Sequence, residues 1–186
     1  YYIDFKSPGA YLSLYPTLAL LDKHSFELVW RPYRALEKGV PPATDDETKG
    51  ETHIRVRAAA RQQTHLKYAE LRGLTMRFPA QPGVTDMALA GLLYAQAAPA
   101  AYAQRAFAAY WVDNLDLNDE ALVRDLLADS GHDPRGFDGA AGVAELEAMQ
   151  VSSEELGVVD TPAYAIDGQI FIGREHLPWL RELLQS

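Results

Sequence analysis

The chain contains no cysteine. It can therefore build no disulfide framework and no thiolate metal site, and any thiol chemistry it performs must use a thiol brought in from outside. It also lacks a long apolar run: nothing in it reaches the roughly 20 residues that a membrane-spanning helix needs. Positive charge is scarce, with 17 Lys and Arg against 26 Asp and Glu and a formal net charge of -9. That balance argues against nucleic acid as a partner, because phosphate binding needs a basic surface. No internal repeat or low-complexity tract is evident, although Ala97 to Ala109 is alanine-rich. What is present suits a globular protein: 186 residues, of which 48% are hydrophobic and 23% charged, fit one domain or a core with a large insertion, burying roughly 70% of the unfolded surface. Tyr1 to Phe5 read as a strand and not as a basic segment followed by an apolar one, so no signal peptide is visible and a cytoplasmic location is expected.

The ends of the chain differ from its middle. Tyr1 to Phe5 and Phe26 to Pro32 are short β-branched or aromatic runs, and between them Tyr11, Leu14, Tyr15, Leu18 and Leu21 recur at helical spacing. Pro16 falls within that helix and is expected to distort it. From about Thr44 to Leu156 the periodic segments are helical, among them Leu122, Val123, Leu126 and Leu127, closed by Gly131 as a C-cap. Further on, Ala163 to Ile166 and Gln169 to Ile172 flank Asp167-Gly168, a two-residue signal for a type I′ hairpin. A last helix is expected from about Arg174. The order βαβ, helical block, ββα predicts an α/β protein with a thioredoxin-like fold and a large all-helical domain inserted between its halves. The core takes residues 1–43 and 157–186, and the insert takes 44–156.

Two proline-marked spots carry the chemistry. Ser7-Pro8 stands where the first helix begins, the place of the reactive sulfur in a thioredoxin fold. A helix N-terminus offers unpaired amides and about half a positive charge, and together with a serine hydroxyl it would stabilise the thiolate of a bound thiol. The same dipeptide also reads as a plain helix cap, the commoner use of Ser before Pro. Thr161-Pro162 lies immediately ahead of the hairpin, where a cis bond would face the backbone of Thr161 toward a ligand; taken alone, the dipeptide fits an ordinary loop. Gly173-Arg174-Glu175-His176 opens the last helix and could hold a carboxylate, or simply start the helix.

These residues together resemble the 2-hydroxychromene-2-carboxylate isomerase family, which is close to kappa-class glutathione transferases and more distant from the disulfide oxidoreductase DsbA. Asp4-Phe5-Lys6-Ser7-Pro8-Gly9-Ala10-Tyr11-Leu12 is similar to the family's opening. Trp30-Arg31-Pro32, Arg77-Phe78-Pro79, Ala109-Tyr110-Trp111 with Asp116-Leu117, and Thr161-Pro162 with Asp167-Gly168, Phe171 and Gly173 follow in the expected order. The resemblance implies a glutathione-dependent isomerase that adds a bound thiolate reversibly to an unsaturated aromatic carboxylate. It further implies Ser7 as the catalytic contact to the sulfur. Glutathione would be held by Ser7, Thr161, Pro162, Arg174, Glu175 and His176, and the substrate by Tyr11 and Lys38. His53 and His65 are further acid–base candidates.

The departures from the family pattern fall at ligand-facing places. Asp160 precedes Thr161, Glu175-His176 replace a usual Asp-Arg, and Thr64 and Lys67 replace an Asp and an Arg. A kappa-like transferase and a catalytically silent thioredoxin-fold binding protein therefore remain open. Disulfide exchange ranks below both, because it needs a protein thiolate. Neither a metal nor a membrane is expected as a partner. A homodimer is expected, from kappa-like relatives and from the aromatic richness of the insert at Tyr102, Phe107, Tyr110 and Trp111.

Overall fold

Tyr2–Ile3 (β1), Arg31–Pro32 (β2), Ala163–Ile166 (β3) and Gln169–Ile172 (β4) form a four-stranded sheet in the order β2-β1-β3-β4. β1 is parallel to β2 and antiparallel to β3, and β3 pairs antiparallel with β4. Parallel neighbours need a crossover, which the helix Pro8–Leu21 (α1) supplies. The computed structural model describes residues 1–21, 23 and 26–185. Between β2 and β3 lie five α-helices: Lys49–Leu71 (α2), Asp86–Tyr94 (α3), Pro99–Trp111 (α4), Glu120–Asp129 (α5) and Gly139–Glu155 (α6). The thioredoxin-like order with helices between its two halves is thus the order found.

Local chemistry sets the boundaries. Both strands of the opening βαβ unit are shorter than their composition predicts. β1 stops because Asp4 turns the chain: its side chain accepts the Lys6 N–H at 3.2 Å, and its carbonyl accepts the Ser7 N–H at 3.1 Å. With so short a partner, Arg31 and Pro32 form β2, and the run before them contributes the Val29 carbonyl, which accepts the Tyr1 N–H at 2.8 Å. The hairpin has the predicted limits, and Asp167 and Gly168 adopt φ of 50° and 78°, the positive pair a type I′ turn requires. Gly131, with φ of 89°, closes α5 as expected. The last helix starts later than Arg174: residues 174–176 make a 3-10 turn, and the α-helix (α7) is Leu177–Leu183. Pro178 explains this, since it has no N–H to give to residue 174 and is tolerated only in a first turn.

The core fuses the insert to the sheet. Phe5, just past β1, meets Tyr102 and Phe107 on the buried face of α4, where Tyr102, Phe107, Tyr110 and Trp111 are all at most 4% exposed. These four aromatics fill the interior, so they supply no face for pairing two copies. α3 and α6 approach closely because small residues meet there; a Cβ on Gly142 would lie 2.7 Å from Ala90 Cβ. Among the described residues, no helix is long and apolar enough to cross a membrane.

Candidate functional site

Ser7 caps α1 from a fully buried position. Its hydroxyl accepts the Ala10 N–H at 3.3 Å and donates to the Thr161 carbonyl at 2.9 Å, across 154 residues of sequence. Pro8 follows as the first helical residue, where its missing N–H does no harm. Gly9 permits the close approach, because a Cβ there would stand 3.0 Å from Pro162 Cδ. The Thr161–Pro162 peptide is cis, as expected. The two proline-marked spots, far apart in sequence, are therefore one place.

Both main-chain groups of Thr161 are already engaged. Its carbonyl takes the Ser7 hydroxyl, and its N–H donates to the Asp160 carboxylate at 2.7 Å. Its own side-chain hydroxyl is buried without a partner. Asp160, noted in the sequence only as a departure, thus covers the donor that an extended peptide ligand would use.

Beside this junction opens a cavity of about 290 Å³. Glu37, Lys38 and Lys6 come from the segments next to β2 and β1, Arg61 and His65 from α2, and Phe78 with Trp111 forms an aromatic wall. Of the substrate-binding and acid–base candidates, Lys38 and His65 line it. Tyr11 stands one ring behind, stacked on Trp111 at 5.9 Å with its hydroxyl given to the Thr75 carbonyl at 2.9 Å. His53 lines an adjoining depression that shares Glu37, Lys38 and Arg61. Thr64 and Lys67 are exposed and engaged locally, Thr64 with the Ala60 carbonyl and Lys67 with Glu70.

The chain's last turn approaches from the other side. The Gly173 N–H donates to the Pro162 carbonyl at 2.7 Å, tying the turn to the cis-proline loop. The Arg174 guanidinium lies 4.1 Å from the centre of the Tyr68 ring on α2, a cation–π contact. The Glu175 carboxylate folds over Gly173, and His176 packs against Phe171. This end therefore presents an acidic group as well as a cation.

Two titrating groups face the cavity with shifted affinities. Burial, then Arg174 and Arg61, lowers His65 to about 4, so its imidazole is neutral at physiological pH. Burial, then Asp160 and Asp4, raises Glu37 to about 7, with Ser7 and Arg61 pulling weakly the other way. Folded Glu37 thus keeps its proton to about 7, whereas the unfolded chain releases it near the ordinary 4.5. Its contribution to stability is full at acid pH and is lost as pH rises through the folded value. Glu37→Gln is expected to melt above the parent in mildly alkaline buffer, with the gap closing below about 4.5. Equal melting temperatures in both buffers would show that nothing holds this carboxyl up.

Glu37, Lys6 and Arg61 were missed from sequence, and Asp160 was noted there only as a departure beside Thr161. A usable signal existed for Glu37: charged residues just past the end of a parallel strand lie at the edge where open α/β sheets bind ligands.

A profile of the DSBA-like thioredoxin domain matches residues 1–185. No sequence among curated proteins matches the chain. Among solved structures, the chain is similar to a selenomethionine 2-hydroxychromene-2-carboxylate isomerase, with a TM-score of 0.73 and 19% identity over 99% of this chain and 92% of that one. It is also similar to a probable DsbA oxidoreductase from Streptomyces coelicolor, with a TM-score of 0.71 and 18% identity over 99% and 86% of the two chains. At such identities the likeness is one of fold.

Proposed function

Since the chain belongs to the DSBA-like thioredoxin domain family and brings no thiol of its own, we propose that it is a glutathione-dependent isomerase of an aromatic or unsaturated carboxylate. The observation that carries this is the placement of Ser7: a hydroxyl at the N-terminus of α1, bonded to Thr161 and set beside a cavity with aromatic walls and cationic rims. Glutathione, when bound, would supply the thiolate that adds to and leaves an activated double bond. The chain's residues fit such a ligand. The buried, unpartnered Thr161 hydroxyl is an open hydrogen-bonding position, and its N–H becomes available once the exposed Asp160 side chain swings away. Ser7, once its hydroxyl turns from the Thr161 carbonyl to the ligand, and the positive end of α1 would stabilise negative charge on sulfur. Phe78 and Trp111 would stack on a planar substrate, and Lys6, Lys38 and Arg61 would receive its carboxylate.

Glutathione at millimolar concentration is expected to raise the melting temperature, because a ligand of the native state stabilises by mass action. Ser7→Ala should then weaken thiol ionisation more than affinity, since one hydrogen bond to a charged group contributes about 1.5–3 kcal/mol. The ultraviolet absorbance of the bound thiolate against pH reads this directly. An unchanged thiol pKa in Ser7→Ala would reduce Ser7 to a helix cap. A second reading, a silent thioredoxin-fold binding protein, draws on the engagement of both Thr161 main-chain groups by the chain itself. Absence of any heat or thermal shift with glutathione would select it.

A further inference from the structure

We infer that Glu37 is the proton acceptor of the cavity, its carboxylate taking the proton of the thiol that binds at Ser7; this rests on the glutathione reading above. The other groups near the junction are committed elsewhere. The Ser7 hydroxyl already donates to Thr161 and accepts from Ala10. Asp4 is fully buried and surrounded by donors from Lys6, Ala35 and Thr85. His65 lines the cavity, but burial and two arginines make it a weak base. Glu37 instead opens into the cavity from the segment after β2.

Its surroundings suit a carboxyl that changes charge in use. Asp160 faces it from the loop before β3, Asp4 from the end of β1, Ser7 from the start of α1 and Arg61 from α2. Lys6, Lys38, His65 and Tyr110 share the cavity with it. Two acidic neighbours disfavour another negative charge there, so an arriving proton is welcome. The carboxyl accordingly sits near neutrality, the range in which a group can take and return a proton at working pH. The transfer balances simply: the S–H bond breaks, its electron pair stays on sulfur, and an O–H bond forms on Glu37. On ligand departure the proton returns by the same route, with nothing oxidised or reduced.

The test follows the Glu37 side-chain carboxyl by isotope-edited NMR in the full chain, with thiolate absorbance recorded in parallel, in mildly alkaline buffer. On adding glutathione, the Glu37 resonance is expected to move to its protonated position in step with thiolate formation. S-methylglutathione, which has no thiol proton, should bind and leave it in place. Glu37→Gln should release a proton to solvent for each thiolate formed, where the parent releases several-fold fewer, and Glu37→Asp should restore part of the parent's retention. Thiolate growth while Glu37 stays ionised, or equal proton release per thiolate in the parent and Glu37→Gln, would overturn the assignment and leave glutathione binding intact. If neither signal responds to millimolar glutathione, the glutathione reading fails and this role fails with it.

Discussion

Asp4→Ala is expected to destabilise the protein by about 3–5 kcal/mol, the range for removing one partner of a buried charge pair. Asp4 has no solvent exposure. One carboxylate oxygen accepts the Thr85 hydroxyl at 2.6 Å and the Lys6 N–H at 3.2 Å, and the other accepts the Ala35 N–H at 2.8 Å and lies 3.3 Å from the Lys6 ammonium. Burial raises its pKa, and all of these donors oppose that. Alanine would leave each donor without its acceptor, and unpaired buried groups cost more than their bonds contributed. Chemical denaturation at neutral pH measures the loss, which is a large part of the about 5–15 kcal/mol available to a typical domain. A loss under about 1 kcal/mol would mean that the donors find other partners. The bond to Ala35 also fixes the segment that carries Glu37 and Lys38 two and three residues on, so Asp4 governs the cavity wall without touching the cavity.

How far such features could be read in advance depended on the range of the forces behind them. The hairpin at Asp167-Gly168, the cap at Gly131 and the helix start at Ser7-Pro8 obey rules written within a few residues, and each stands where its neighbours put it. The meeting of Ser7 with Thr161 was legible only through the order of elements, because nothing local joins positions 154 residues apart. The α2 face of the cavity was not legible. That helix buries only Ala69 among its 23 residues, so it has no apolar stripe to show which side Arg61 and His65 occupy. Glu37 sits in a segment without periodicity, and Asp160 acts through its immediate neighbour's N–H, a contact that no spacing announces. The aromatics of α4 misled in the opposite direction. Their number exceeded what a thin helical layer would need, but they pack inward against Phe5 and Tyr11.

Trp111→Ala is expected to cost about 3–5 kcal/mol, as deletion of a buried aromatic usually does. The residue is 1% exposed and lies at the end of α4. Its indole N–H donates to the Phe5 carbonyl at 2.9 Å, just past β1, so one side chain ties the insert to the sheet. Its ring stacks on Tyr11 of α1 and meets Phe78 and Tyr110 edge-on at 5.0 and 5.1 Å. Such ring pairs contribute about 0.5–1.5 kcal/mol each beyond their buried area. Trp111→Phe separates the two roles. It keeps a ring against Tyr11 and Phe78 but leaves the Phe5 carbonyl without a donor, so a loss of about 1–3 kcal/mol is expected. Equal losses in the two variants would assign the residue's contribution to the hydrogen bond alone and remove the aromatic stack as the joint between insert and sheet. If the larger loss in the alanine variant is found, the same substitution should also widen the cavity on the side where a planar ligand would stack, because Trp111 is both the joint and the wall.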